Sequence, residues 1–184
     1  MSEYTAVPCT FERHAPAILD ILNDAIVNST ALYDYKPRQM QNMVSWFEVK
    51  RAGNFPVIGI EDAQGTLLAF GSYGTFRAFP AYKYTVEHSV YVHKDHRGHG
   101  LGAQVMQALI AAARENQLHV LMGAIDASNA GIGNNTCDCS HLYIRLNRSD
   151  RLNHQSRWSH QHTAGRRQHF DRRRRQWPNQ SRHD

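Results

Sequence analysis

The run Arg97-Gly98-His99-Gly100-Leu101-Gly102 is the part of this 184-residue chain whose composition and spacing could do chemistry. Its glycines let the backbone turn with N–H groups directed inward, and a helix starting directly afterwards adds the partial positive charge of its N-terminus. Such a segment holds a pyrophosphate through main-chain amides and needs no basic side chain. A phosphate-bearing cofactor is the chemistry it implies, although glycine turns before helices also occur as turn chemistry alone. Two other phosphate loops are excluded. A dinucleotide fingerprint needs a Gly-x-Gly-x-x-Gly spacing and an acidic residue ending a strand about 20 residues on, and a P-loop needs a Lys-Ser/Thr pair.

The elements that must position this turn are legible in the periodicity. Residues 85–93 alternate Val86, His88, Val90 and Val92 against Glu87, Ser89 and Tyr91, the pattern of a strand. After the turn, Leu101, Val105, Ala108, Leu109 and Ala112 keep the spacing of one helical face, and residues 119–125 return as a buried strand. The turn therefore joins strand to helix in a β-turn-α-β unit. Upstream, residues 4–9 read as a short strand, and Ile18, Ile21, Leu22 and Ala25 share a helical face with Pro16 in the first turn. A second helix is expected over residues 38–51, carrying Met43, Trp46 and Phe47 and stopped by Gly53. Residues 57–60 and 67–73 form a hairpin about a turn at 62–65, and a loop with Phe76, Arg77, Phe79 and Pro80 follows. The fold class up to Ala130 is α/β.

The run from Tyr82 to His93 followed by this glycine turn resembles the GNAT N-acetyltransferases, in particular their phosphinothricin and methionine sulfoximine acetyltransferase branch. Thr85-Val86-Glu87-His88-Ser89-Val90-Tyr91-Val92 is the most specific string. Asn23-Asp24-Ala25, Trp46-Phe47, Phe76-Arg77-Ala78-Phe79 and Asp126-Ala127-Ser128-Asn129-Ala130 match the branch as well, so the resemblance covers about residues 4 to 130. It implies the acyl-CoA N-acyltransferase fold, a mixed and mostly antiparallel sheet flanked by helices, with acetyl-CoA as co-substrate, no metal, and a small amino-acid-like amine as acceptor. A homodimer is inherited from the family in the same way.

The resemblance also assigns roles. Glu87 becomes the base that takes a proton from the attacking amine, the task a carboxylate beside a substrate pocket can perform; a solvated glutamate on a sheet face is the plain alternative. Glu87, His88 and Ser89 border the acceptor, and Arg77, Ala78 and Phe79 match an acceptor-binding loop in which a guanidinium fork suits a carboxylate or phosphinate. Val90, Tyr91 and Val92 would pair with the pantetheine arm through their backbone, with one N–H free for an oxyanion. Arg97, Gly98, His99, Gly100, Leu101, Gly102 and Ala103 would hold the pyrophosphate, and Asn129 would also touch the cofactor.

Composition bounds the remainder. The longest apolar run, residues 108–113, is far short of the roughly 20 residues of a membrane span, and Met1-Ser2-Glu3 does not begin a signal peptide. Three cysteines, Cys9, Cys137 and Cys139, make no disulfide framework and suit a reducing compartment, so the expected location is cytoplasmic. Residues 1–130 carry 10 Lys and Arg against 12 Asp and Glu, net −2, whereas residues 131–184 carry 11 against 4, net +7. The second part lacks Lys, Glu, Val and Met, and none of the family's closing helix and strands is legible in it. With five Ile or Leu it is expected to be disordered and to leave the fifth strand without a neighbour. A shifted reading frame would explain the break. An arginine-rich arm for nucleic acid is the rival, with Trp158 and Trp177 as stacking groups, and Cys137, Cys139 and His141 could make a partial metal site short of a fourth ligand.

Overall fold

Three apolar stripes build the core. In the computed structural model, which describes residues 4–29, 32, 34, 36–125 and 140–146, α1 (Phe11–Asn28) buries His14, Ala15, Ile18, Ile21, Leu22, Ala25 and Ile26. The repeat is that of one helical face. Helix α2 (Met40–Ala52) buries Met43 and packs Trp46 and Phe47 beside it, so both helices share one cluster with Leu67 and Phe70. On the other face, α3 (Leu101–Glu115) contributes Leu101, Val105, Leu109, Ile110 and Ala113 to a cluster with Tyr73, Val86 and Leu121.

Between these layers lies one sheet in the order β1 (Tyr4–Pro8), β2 (Val57–Asp62), β3 (Leu67–Thr75), β4 (Thr85–Val92), β5 (Val120–Ile125) and β6 (Ser140–Arg145). Every neighbouring pair is antiparallel except β4 and β5, which are parallel and joined through α3. The mixed, mostly antiparallel expectation holds. Residues 67–73 of β3 are continuously buried because helices cover both faces of the central strands. No helix among the described residues is long and apolar enough to cross a membrane.

Two expectations need correction. Helix α1 starts five residues before Pro16, which lies in its second turn. The early start is held by side chains: the Thr10 amide donates to His14 Nδ1 at 2.9 Å, so the ring proton sits on Nε2 and is donated to Glu61 Oε1 at 3.0 Å. Arg13 donates to the second Glu61 oxygen at 2.7 Å. These bonds tie the helix start to the bulge at Ile60/Glu61 and offset the hydrogen bond that proline removes.

The second correction concerns β5. It is not left as an open edge, because β6 pairs with it antiparallel from Val120↔Arg145 to Ile125↔Ser140, and the Leu146 amide donates to the His119 carbonyl at 2.7 Å. Whole-tail composition hid this strand. Residues 142–146 hold three of the five Ile and Leu found after Ala130, and main-chain bonding to an existing strand asks less of side chains than founding a new core. Cys137, Cys139, Trp158, Trp177 and the run Arg172-Arg173-Arg174-Arg175 lie outside the described residues.

Candidate active site

The β4–β5 ladder stops before either strand does. Pairing runs through Thr85↔Val120, Val86↔Leu121 and Glu87↔Met122 and then ends, although β4 continues to Val92 and β5 to Ile125. On its other side β4 stays paired with β3 along an unbroken register from Thr75↔Val86 to Ala69↔Val92. The two parallel strands therefore diverge while β4 keeps its place in the sheet.

Alternation decides which groups face the opening. The His93 amide donates to Leu68 on the β3 side, and the Tyr84 carbonyl accepts from His119 on the β5 side. Odd-numbered residues of β4 thus bond to β3, and even-numbered ones direct N–H and C=O towards β5. Beyond the last rung, the amide groups of Val90 and Val92 point into the gap. Tyr91, expected among the arm-binding residues, turns its amide to Phe70 of β3 instead.

At the end of β4 the glycine turn meets the gap. Gly98 and Gly100 have φ of +86° and +73°, values that favour glycine, and beyond their chain neighbours no atom of the described residues lies within 4 Å of where a Cβ would stand on either. Gly100 caps α3, and its carbonyl accepts from Ala103 at 3.1 Å and Gln104 at 3.2 Å. Ala103, expected as an anion donor, is therefore engaged within the helix, and Leu101 and Gly102 are the first-turn amides left for an anion. Exposed Arg97 reaches Asp24 Oδ2 of α1 at 3.2 Å with Nη2, and its Nε stands 3.5 Å from the Val92 carbonyl. The His99 Nδ1 lies 3.2 Å from the His96 carbonyl, which assigns its proton to that nitrogen.

Side chains of β4 divide between the two faces. Val86 packs with α3, so Glu87, Ser89 and Tyr91 face α1 and α2. Glu87 is exposed on that face at the last closed rung. Burial raises the Tyr91 phenol, while a hydrogen bond with Ser89 and the charge of Arg38 lower it; Asp34 and Glu87 also act on it. Arg38 is tied to Asp34 Oδ2 through Nε at 3.1 Å and Nη2 at 2.9 Å. Arg38, Asp34 and Lys50 were not legible as site residues. The signal for Lys50 was the stripe Met43, Trp46, Phe47, whose spacing continues to it. Its Nζ donates to the Tyr73 carbonyl at 2.8 Å, lies 5.2 Å from the Trp46 ring centre, and is pushed down to about 8 by burial. A Cβ on Gly74, the register partner of Glu87, would stand 3.3 Å from that nitrogen.

The remaining candidates separate. His88 lies on the α3 face, across from Glu87 and Ser89, with its ring against Gly123. Arg77 stands over the Phe76 ring at 5.2 Å and lines a cavity of about 370 Å³ with Tyr73, Thr75, Tyr82 and Asn116, a cavity that Glu87, His88 and Ser89 do not line. Ala78 and Phe79 are exposed in the same loop. Asn129 lies outside the described residues. Among the described residues no three His, Cys, Asp or Glu stand together so as to hold a metal ion.

A family model described as Acetyltransferase (GNAT) family matches residues 17–131, which include the gap, the glycine turn and Glu87. This chain belongs to the GNAT acetyltransferase family. Within the family it is 45% identical over 115 residues to an L-methionine sulfoximine/L-methionine sulfone acetyltransferase of Pseudomonas paraeruginosa, covering 62% of this chain and 67% of that protein. The crystal structure of an N-acetyltransferase from Staphylococcus aureus is 34% identical and superposes with a TM-score of 0.73 over 79% of this chain and all of that one. A phosphinothricin acetyltransferase from Sinorhizobium meliloti, solved in complex with acetyl-CoA, shares the fold at 20% identity and a TM-score of 0.66, over 70% of this chain and 69% of its own. The residues here fit such a cofactor: the glycine turn leaves open space beside free amides, and main-chain groups of Val90 and Val92 face the gap it would thread.

Proposed function

We propose that this GNAT chain carries the acetyl group of acetyl-CoA to the amine of a small amino-acid-like acceptor of methionine sulfoximine, methionine sulfone or phosphinothricin type, by direct attack with Glu87 as general base. The observation that carries the reading is the place of Glu87, at the last closed rung of a sheet that opens directly beyond it. Bound acetyl-CoA supplies an activated carbonyl carbon. The amides of Leu101 and Gly102, with Arg97 and His99 beside them, hold the diphosphate, and the main-chain groups of Val90 and Val92 align the arm. The Val90 N–H, directed into the gap, would be the donor available to the oxygen of that carbonyl.

The acceptor approaches from the α1/α2 face. There the Glu87 carboxylate takes the amine proton, and Ser89 and Tyr91 continue the same wall. The acceptor's acidic group needs a cation. Family resemblance gives that role to Arg77, with Ala78 and Phe79, but Arg77 lines a cavity that Glu87 does not, whereas Arg38 is a guanidinium on the face of Glu87 itself. The Pseudomonas relative, named for methionine sulfoximine and sulfone, supports the choice of acceptor. In this reading residues 1–130 carry the catalytic and binding groups, β6 completes the sheet on which they stand, and residues 131–184 are distinct in composition.

The test is release of coenzyme A thiol on addition of methionine sulfoximine, methionine sulfone or phosphinothricin, with spermidine and an alanine-ended peptide alongside. Turnover confined to the first three is expected. Turnover with the peptide or polyamine alone overturns the acceptor class, and acetyl-CoA binding without turnover of any acceptor makes the chain a coenzyme A binder.

A further inference from the structure

We propose that the His88 imidazole is the wedge that separates β5 from β4, a positioning residue that holds open the gap entered by the acyl-CoA arm. The proposal rests on the reading of that gap as the acetyl-CoA site. Divergence of two strands needs a cause. A bulge in β4 is not that cause, because its register with β3 is continuous across all seven pairs. Nor does a strand end, since both strands run on past the last rung.

The next rung would pair His88 with Gly123. Side chains at a shared rung of neighbouring strands stand on the same face, and here the histidine ring has taken the space of both. A Cβ built on Gly123 would lie 2.7 Å from His88 Nε2 and 2.9 Å from Cε1, closer than side chains pack. The ring thus lies across β5 at the point where pairing fails, and only a glycine beneath it allows that.

The ring acts there by volume. Both of its nitrogens are buried, and no polar contact among the described residues orients it. On β4 it shares the α3 face with Val86 and Val90 and lies against Gly123 of β5, and burial keeps it uncharged near neutral pH. Glu87 belongs to the opposite face and cannot perform this task.

Four proteins test the idea: the parent, His88→Ala, His88→Leu and the pair His88→Ala with Gly123→Ala. Hydrogen exchange without ligand reads the gap directly. In the parent the amides of Val90 and Val92 exchange faster than that of Tyr91, which bonds to β3. In His88→Ala the Val90 amide slows as β5 closes on β4 and brings the Ala124 carbonyl to it, whereas His88→Leu, which refills the volume, keeps it fast. Acetyl-CoA affinity by calorimetry follows, weakening by roughly tenfold or more in His88→Ala and returning to within about threefold of the parent in His88→Leu. In the double variant the new methyl group stands where the ring lay, and affinity recovers above His88→Ala. Thermal unfolding of each variant separates closure of the gap from loss of the fold. Unchanged exchange at Val90 in a folded His88→Ala overturns the wedge, as does a His88→Leu as impaired as His88→Ala. Exchange that changes as expected in a protein that binds no acetyl-CoA leaves the wedge standing and overturns the cofactor reading.

Discussion

Asn23 and Arg38 hold each other by a reciprocal pair of bonds: the Asn23 side-chain amide donates to the Arg38 carbonyl at 3.0 Å, and the Arg38 amide donates to Asn23 Oδ1 at 2.7 Å. The next residue of α1, Asp24, accepts from Arg97 at 3.2 Å. One turn of one helix therefore fixes the segment over the Glu87 face and also tethers the glycine turn. Asn23→Ala removes both bonds to the main chain of one residue, each worth about 1 kcal/mol net. The expected outcome is a modest fall in thermal stability and a rise in KM for the acceptor larger than the fall in kcat. An unchanged acceptor KM in a folded variant shows that the Arg38 segment does not border the acceptor.

Glu87 is exposed and belongs to neither apolar cluster, so its replacement by glutamine leaves the core intact. Glu87→Gln keeps acetyl-CoA affinity and lowers turnover by about 10²- to 10⁴-fold, the usual cost of a lost general base. Thiol release measures the rate and calorimetry the affinity. Equal turnover by variant and parent removes Glu87 from the mechanism.

Gly100 caps α3 with φ of +73°, and a β-branched side chain is a poor occupant of that conformation, where even ordinary residues pay about 1–2 kcal/mol. In Gly100→Val the cap shifts and the amides of Leu101 and Gly102 turn away from the diphosphate. Acetyl-CoA binding weakens strongly, while the Glu87 face is untouched. Calorimetry that finds parental affinity in Gly100→Val refutes the assigned cofactor turn.

Much of this geometry was legible in the sequence, and the reasons are local. The alternation of residues 85–93 and the stripe of α3 report which side of each element is buried, and the glycine turn between them reports a sharp change of chain direction. The string around Glu87 then carried the family resemblance on which the proposed chemistry rests. What stayed hidden depends on contacts across the fold. The placement of His88 over Gly123 needs the β4–β5 register, which no local pattern encodes. Arg38 and Lys50 read as ordinary basic residues until Asn23 and the Tyr73 carbonyl fix them. The reach of Arg77 into a cavity apart from Glu87 depends on the path of a loop, and β6 was masked because a short ordered strand is diluted by the composition around it.

Two half-buried bases give stability the same dependence on pH in different windows. Burial pushes His88 down to about 4 from 6.5 and Lys50 down to about 8 from 10.5. Between the folded and unfolded values the unfolded chain binds the extra proton, so stability rises with pH across each window. For His88 it is fully present above pH 6.5 and declines as pH falls towards 4; for Lys50 it climbs between pH 8 and 10.5. Each step is on the order of 2 kcal/mol after allowance for partial solvent screening. Denaturant unfolding against pH measures both, with His88→Leu expected to remove the acidic slope and Lys50→Met the alkaline one. Slopes that persist in these variants assign the effect to other groups.

Residues 140–146 close the far side of the sheet. Six pairs join β6 to β5, and the Leu146 amide reaches the His119 carbonyl, whose own amide donates to Tyr84 at the base of β4. Leu146 is buried in the same cluster as Val86 and Leu121, and α3 packs there too. A chain ending at residue 139 loses this ladder and leaves β5 as an exposed apolar edge, the arrangement that invites pairing between molecules. Such a chain is expected to melt several degrees lower and to associate with rising concentration in light scattering. A chain ending at residue 146 keeps every contact just described and is expected to melt close to the full-length protein. Hydrogen exchange supplies the residue-level reading, with slow amides in β5 and in the inward-bonded positions of β6 for the full chain and the 146-residue form. If the 139-residue chain stays monomeric with an unchanged melting temperature, β6 contributes nothing to the sheet, and the open-edge expectation drawn from composition is restored.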